Sequence, residues 1–519
     1  MSFSIEKSLM NLEIRNLFDL LSYTANRVPD RIAFLDGKKS ITFGELKENA
    51  ERIGTCIAEL LPVQSPVAVF MEKSLMEVAA FFGVLSCGDF YVPLDASLPQ
   101  GRIVKILKRT QARVLLCDEA NLALAEKLTE GTETSIVQVE PVLQTMPNAA
   151  LISRRREQVI DADPAYVVFT SGSTGEPKGV CASHRNALDY TEQLVTALSL
   201  DENAVFGNQA PFCYDACLKD IMPTIALGAR TVLIPQGLFS FPCDLISFLN
   251  EHKVNTICWV GSSLHLVSAL NTFDDIKPQY LTRVVFGSEV VPASSIRTWF
   301  AACPGADFYN LYGPTETTGM CCCYHLPGPL QDGERIPIGR PLPNRQLLIL
   351  SPEGKLLPPG QTGEIAIRGS AVSLGYYSDK ELSSGSFIQN PTEKRFRDII
   401  FCTGDLGYLG EDGLYYFIGR KDDQIKIMGR RIEPGEIEAE AENLPGAGLC
   451  AVIFDKTCER LVLFYTGNAN AQELQRKLGA SLPSYMVPRQ CIHLDSLPHT
   501  PTGKIDRRAL RERAEKGRL

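Results

Sequence analysis

Apolar residues recur with two alternating spacings over the first 345 positions. Short runs at Val67–Phe70, Tyr166–Phe169, Thr231–Pro235, Asn255–Val260 and Arg283–Phe286 predict buried strands. Longer stretches with helical spacing predict helices over Leu75–Leu85, Arg185–Leu198, Cys243–His252, Ser262–Leu270 and Ala293–Cys303. Ile41-Thr42-Phe43-Gly44-Glu45-Leu46 opens a further helix, with Thr42 as cap and Glu45 in the capping-box position. Such alternation implies a mostly parallel sheet covered by helices on both faces. From residue 346 the pattern changes. Gln346–Leu350, Gly363–Arg368 and Gly413–Ile418 run apolar between Gly and Pro turns and predict a β-rich subdomain. The charged stretch Gly419-Arg420-Lys421-Asp422-Asp423-Gln424-Ile425-Lys426 then leads into a region with helices over Ile432–Glu440 and Ala471–Ala480. Between these helices, Leu449–Asp455 and Arg460–Thr466 read as paired strands. The expected fold is α/β: a large N-terminal domain of mostly parallel sheets with flanking helices (1–420) and a small α+β C-terminal domain (421–519).

Composition narrows the partners. A 519-residue chain with 45% hydrophobic and 22% charged residues has ample core for more than one domain. Its net charge of -9 argues against a nucleic-acid binder, which would carry a basic face. The first twenty residues include Glu6, Lys7, Glu13, Arg15 and Asp19, which excludes a signal-peptide core, and the apolar stretch Val78–Cys87 is too short to span a bilayer. No membrane role is expected, and the sixteen scattered cysteines read as reduced thiols of a cytoplasmic protein. Cys181 with His184, and Cys322 with His325, lack the second pair that a zinc site needs.

Candidate chemistry falls at strand ends, where open α/β sheets bind ligands. After Tyr166–Phe169 comes Thr170-Ser171-Gly172-Ser173-Thr174-Gly175-Glu176-Pro177-Lys178-Gly179. Its glycines let backbone N–H groups approach an anion, its hydroxyls add donors, and Lys178 adds a positive charge. The spacing is not that of a P-loop, because Pro177 stands five residues after Gly172. Gly287-Ser288-Glu289 follows a second strand. Asn310-Leu311-Tyr312-Gly313-Pro314-Thr315-Glu316 follows a third, with an aromatic ring for a base, a hydroxyl for a phosphate and a carboxylate for Mg²⁺. Cys402-Thr403-Gly404-Asp405 reads as a Gly-flanked turn with a carboxylate suited to ribose hydroxyls, and Pro501-Thr502-Gly503-Lys504-Ile505-Asp506-Arg507 as a loop carrying a cation. No nucleophile elbow or catalytic cysteine pattern is present.

Together these strings resemble the adenylate-forming enzymes: acyl-CoA synthetases, luciferases and peptide-synthetase adenylation domains. The resemblance runs from about Phe18 to Leu510. It implies that ATP and Mg²⁺ are used, with phosphates on Thr170–Lys178, Thr174 and Glu316 acting in catalysis, and Glu316 holding the metal. It implies nucleotide contacts from Gly287, Ser288, Asn310, Tyr312, Gly313, Thr315, Asp405 and Arg420. Lys504 would contact the reacting carboxylate and the α-phosphate, and Asp422 would be the hinge of a mobile lid.

Asn208-Gln209-Ala210-Pro211-Phe212-Cys213-Tyr214-Asp215 bears on the substrate. Asp215 matches the residue with which amino-acid-activating relatives bind the α-ammonium; an Asp paired within the protein, for example to Lys219 at i+4, is the alternative. Ala216, Lys219, Trp259, Val284, Phe286, Leu311, Gly319 and Met320 match the side-chain pocket. The strings look most like D-alanine:carrier-protein ligases, with Lys219 and Gly287 as departures. Lys219 would favour a side-chain carboxylate, or would salt-bridge Asp220 or Glu289. The expected function is activation of an amino acid as aminoacyl-AMP and its transfer to the phosphopantetheine thiol of a separate carrier protein, since the chain stops at Leu519 soon after the Lys504 string. An acyl- or aryl-CoA ligase and a non-catalytic nucleotide-binding relative are the competing expectations.

Overall fold

A computed structural model of the protein describes residues 14–172, 176–331, 334–421, 424–499 and 505–515. The chain divides into two compact units. One comprises Met1–Ala96, Thr110–Val168 and Gly179–Lys421; the other comprises Ser97–Arg109, Phe169–Lys178 and Asp422–Leu519.

The first unit carries the alternation read from the sequence. Strands Ile32–Asp36, Arg230–Leu233, Val205–Asn208, Thr256–Val260, Arg283–Gly287 and Asp307–Tyr312 lie parallel in that spatial order. Antiparallel strands close both edges, Lys39–Thr42 at one and Cys322–Leu326 with Arg340–Pro341 at the other. A second sheet pairs Ser135–Gln138, Val114–Cys117, Pro66–Met71 and Phe90–Asp95 in parallel and continues through Pro164–Thr170. The parallel strands are apolar on both faces because helices cover both. Alternate residues therefore enter different cores. Cys258, Val285 and Leu311 pack with Phe212, Leu218 and Met320, whereas Trp259, Val284 and Phe286 pack with Leu264, Ile296 and Trp299.

Helix starts follow local chemistry. Thr42 caps Phe43–Leu60 and closes a capping box with Glu45. Ser74 caps Leu75–Ser86, and Ser183 caps His184–Ala197. The β-rich stretch forms an antiparallel sheet of Arg345–Leu350, Gly363–Gly369, Ile399–Leu409, Phe387–Gln389 and Tyr415–Arg420.

Cys402–Asp405 is not a turn; it lies inside the long strand Ile399–Leu409. Gly404 has φ of +73° and the ladder slips register on either side of Asp405, so the glycine that suggested a turn makes an irregularity within a strand.

In the second unit, Ala447–Asp455 pairs antiparallel with Arg460–Gly467, which pairs parallel with Gln490–His493. Helices Pro434–Glu442 and Ala471–Ser481 contribute Ile437 and Leu478 to its core. Among the described residues no helix is long and apolar enough to cross a membrane. All sixteen cysteines are free thiols.

Candidate active site

Three distant segments of the first unit meet around Asp405. Its carboxylate is 2% exposed; it accepts the Tyr312 hydroxyl at 2.5 Å and pairs with Arg420 at 2.7 Å. Arg420 also donates to the Thr403 carbonyl at 2.6 Å, and the Thr403 hydroxyl accepts the Asp405 N–H at 2.9 Å. The pairing of Ile399–Leu409 with Tyr415–Arg420 puts Asp405 opposite Arg420. Burial and the adjacent carboxylate hold the Tyr312 phenol neutral, far above its usual range. The structure thus joins three of the residues expected to bind a nucleoside.

A second cluster lies along the chain from Tyr312. Glu316 is fully buried and accepts the Tyr376 hydroxyl at 2.7 Å. Thr315 donates its hydroxyl to Asp215 at 3.2 Å. Asp215 begins a 3₁₀ turn that runs into the helix Leu218–Leu227 and keeps part of its surface accessible. Burial raises the Asp215 pKa, opposed by the Thr315 hydrogen bond and the Lys219 charge. Asn310 is tied by its amide to the Pro337 carbonyl at 2.8 Å, so it braces the segment. Gly313 is required by packing, since a Cβ there would lie 2.2 Å from the Gly319 carbonyl oxygen.

At the neighbouring strand end, a Cβ on Gly287 would lie 2.2 Å from the Leu311 carbonyl oxygen. Any side chain there would force the backbone apart. Ser288 follows in the left-handed region at φ +68°, which costs a non-glycine residue roughly 1 kcal/mol. The expected pocket residues separate: Ala216, Leu311 and Met320 pack in one core, and Trp259 and Phe286 in the other. The Trp259 indole N–H is committed to the Gly207 carbonyl at 2.9 Å, and its ring lies edge-on to Trp299.

The phosphate-type loop belongs to the second unit, where it already holds anions. Lys178 pairs with Glu433 at 3.4 Å, and the Gly172 N–H donates to Glu436 at 3.3 Å. The Ser171 hydroxyl donates to the Arg431 carbonyl at 2.8 Å. Glu433 also accepts from Gln424 and Arg431, and Glu436 from Arg102. A Cβ on Gly172 would fall 1.9 Å from the Glu176 carbonyl oxygen, so only glycine fits the cradle. The buried Thr170 hydroxyl has no hydrogen-bond partner among the described residues, an orphan that a phosphate oxygen would satisfy. Ser173, Thr174, Gly175, Asp422 and Lys504 lie outside the described residues.

Mg²⁺ fits this donor set. Among the described residues no cluster of three metal-ligating side chains exists, and Mg²⁺ on nucleotides is held by one or two carboxylates plus phosphates. Glu316 supplies one such carboxylate, and its two oxygens offer more lone pairs than Tyr376 uses. Tyr376, Glu433 and Glu436 were not anticipated from the sequence. No spacing rule connects Tyr376 to a glutamate sixty positions earlier.

Comparison with known proteins decides the family. The model of the AMP-binding enzyme family matches residues 21–377, and that of the AMP-binding enzyme C-terminal domain matches residues 436–504. The chain belongs to the AMP-binding enzyme family. It is 32% identical to tyrocidine synthase 2 of Brevibacillus parabrevis over 95% of its length, yet spans only 14% of that protein. It is 29% identical to a D-alanine–D-alanyl carrier protein ligase of Bacillus licheniformis, covering 96% of this chain and 99% of that one. Among solved structures, an artificial fusion of NpsA and ThdA from Klebsiella oxytoca, an adenylation–PCP di-domain, superposes with a TM-score of 0.79. That match is at 23% identity and covers 94% and 95% of the two chains. At that identity the likeness supports the fold, and the fold is that of an AMP-binding enzyme.

Proposed function

We propose that this AMP-binding enzyme activates an amino acid with ATP and passes it to a carrier-protein thiol. The observation that carries the reading is the Asp215–Thr315 hydrogen bond at 3.2 Å. It ties a half-buried carboxylate, suited to an ammonium group, to the segment that bears Glu316. A substrate ammonium on Asp215 would hold the adjacent α-carboxylate close to that segment.

In the first step a carboxylate oxygen forms a bond to the α-phosphorus of ATP. The bond from that phosphorus to the bridging oxygen breaks, and pyrophosphate leaves with the electron pair. No protein nucleophile is needed; alignment and charge neutralisation lower the barrier. Asp405 and Arg420 fix the ribose, Tyr312 the base, and the Thr170–Lys178 loop the phosphates. Glu316 would hold Mg²⁺, which would supply charge neutralisation on the phosphates. Lys504 is assigned the reacting carboxylate and Thr174 the phosphates, with Asp422 as the hinge before the second step. There the carrier's thiolate attacks the acyl carbon and AMP leaves. Full-length relatives named as carrier-protein ligases support this second step.

Amino-acid-dependent ATP–pyrophosphate exchange tests the proposal. Exchange with an amino acid that is lost in Asp215→Ala supports it. Exchange with aryl or fatty acids alone, followed by CoA-dependent AMP release, would replace it with a CoA ligase.

A further inference from the structure

Lys73 ties the two sheets of the first unit at the carboxyl ends of their strands. It follows the strand Pro66–Met71 of the second sheet and precedes the helix that Ser74 caps. Its ammonium reaches the first sheet, where it donates to the Ile234 carbonyl at 3.0 Å, the Asn208 side-chain carbonyl at 3.2 Å and the Asn208 backbone carbonyl at 3.4 Å. Asn208 ends the strand Val205–Asn208, and Ile234 directly follows its parallel neighbour Arg230–Leu233. The three donors of an ammonium thus meet three acceptors.

Asn208 passes the contact on. Its amide N–H donates to Asp220 of the helix Leu218–Leu227 at 2.8 Å. The Asp220 backbone carbonyl accepts from the Thr231 hydroxyl at 3.4 Å, which binds the same helix to the strand beside Asn208. Asp215 stands on the chain between these anchors, after Asn208 and before Asp220. An asparagine side chain has an acceptor at one end and donors at the other, and rotation exchanges them. A cation at Lys73 admits only the orientation that turns the NH₂ toward Asp220. The acceptors of Lys73 are all uncharged, so the ammonium trades water for carbonyls and gains little stability by it. What it supplies is orientation.

We propose that Lys73 is a positioning residue for the amino-acid substrate: through Asn208 and Asp220 it sets where the Asp215 carboxylate stands. The inference rests on the amino-acid reading of Asp215. The charge on Lys73 is essential to this role. Burial lowers its pKa from 10.5 to about 8, opposed by Asp220, Asp36, Glu77 and Cys217. Once the proton is lost, a lone pair faces one of the three oxygens, and the Asn208 amide is free to rotate away from Asp220.

The test is ATP–pyrophosphate exchange by the full chain with the amino acid that supports the fastest exchange, measured from pH 6 to pH 9. A misplacement of about 1 Å can cost about 100-fold, so Lys73→Met should lower kcat/KM for the amino acid by about 10- to 100-fold. The loss should fall on the amino-acid KM and leave the ATP KM unchanged. Wild-type kcat/KM should decline as pH rises through about 8. Lys73→Arg, which stays charged, should retain more activity than Lys73→Met and move that decline to higher pH. Three results would overturn the proposal: unchanged kcat/KM in Lys73→Met, an equal rise in the KM for ATP, or a decline at the same pH in Lys73→Arg. An equal rise is what a mere tie between the sheets would give. If Lys73→Met does not fold, the pH profiles of the wild type and Lys73→Arg decide. Exchange with no amino acid at all would overturn the amino-acid reading, and this proposal with it.

Discussion

The Asp405 cluster and the Asp215–Lys219 turn lie in the same unit, and both remove charge from water, but they dispose of it differently. Asp405 has Tyr312 at 2.5 Å and Arg420 at 2.7 Å. Asp215 has the neutral Thr315 hydroxyl at 3.2 Å and the Gly319 backbone, and Lys219 makes no hydrogen bond or ion pair with a described residue. A buried network whose members satisfy one another keeps its shape before any ligand arrives, which suits a nucleoside that brings hydroxyls and a neutral ring. A carboxylate and a cation left under-bonded are a poor way to stabilise a fold and a good way to recognise a charged ligand. The first region should therefore respond to mutation mainly in stability and nucleotide affinity, and the second mainly in turnover.

The largest departure is expected at Asp215. Removing one partner of a buried charged pair costs about 2–5 kcal/mol, so Asp215→Ala should lower kcat/KM for the amino acid by roughly 30- to 5,000-fold. The KM for ATP should change little. A large rise in the ATP KM would erase the distinction between the two regions. Next comes Asp405→Asn, which breaks a buried ion pair and should lose about 3 kcal/mol in urea unfolding, together with weaker ATP binding. Unchanged stability would mean that the cluster is no better bonded than the other region. Tyr376→Phe removes one hydrogen bond to a buried carboxylate, worth roughly 1.5–3 kcal/mol, and should shift the Mg²⁺ concentration needed for half-maximal exchange. No shift would separate Glu316 from the metal.

The smallest effect on activity is expected at Asp220, next to Lys219. Burial pushes its pKa from 3.8 up to about 7, against the pull of Asn208, Lys219 and Lys73. The folded state therefore keeps a proton that the unfolded state has lost between those values. Its contribution to stability should fall as pH rises from about 4 to about 7 and stay level above that. Urea midpoints across this window should slope less in Asp220→Asn than in the wild type. An equal slope would place the proton elsewhere.

Much of the architecture could be read along the chain because its signals are local. Thr42 and Glu45 sit three apart and cap a helix, and the short apolar runs became parallel strands within a residue or two of their expected ends. Asp405 was legible as a carboxylate beside a glycine but not as part of a strand. A left-handed Gly404 reads the same in a turn as in an irregular ladder, and only the pairing partners distinguish them. Trp259 and Phe286 are expected beside Leu311, yet strand alternation sends them to the opposite face of the sheet from Leu311. The acceptors on the loop, Glu433 and Glu436, lie more than 250 positions from Lys178 and Gly172, beyond any periodic rule. Lys219 shows the opposite limit. Its i+4 spacing from Asp215 suggested an internal pair that the side chains do not form.

Recognition of the substrate ammonium is the property on which the proposed activity depends. The most direct measurement compares ATP–pyrophosphate exchange on each amino acid with exchange on the same acid lacking its α-amino group, aspartate against succinate and glutamate against glutarate among them. Exchange that requires the amino group in the wild type, and loses that requirement in Asp215→Ala, is the predicted result. Equal exchange with and without the amino group would contradict the account and return Asp215 to a structural role.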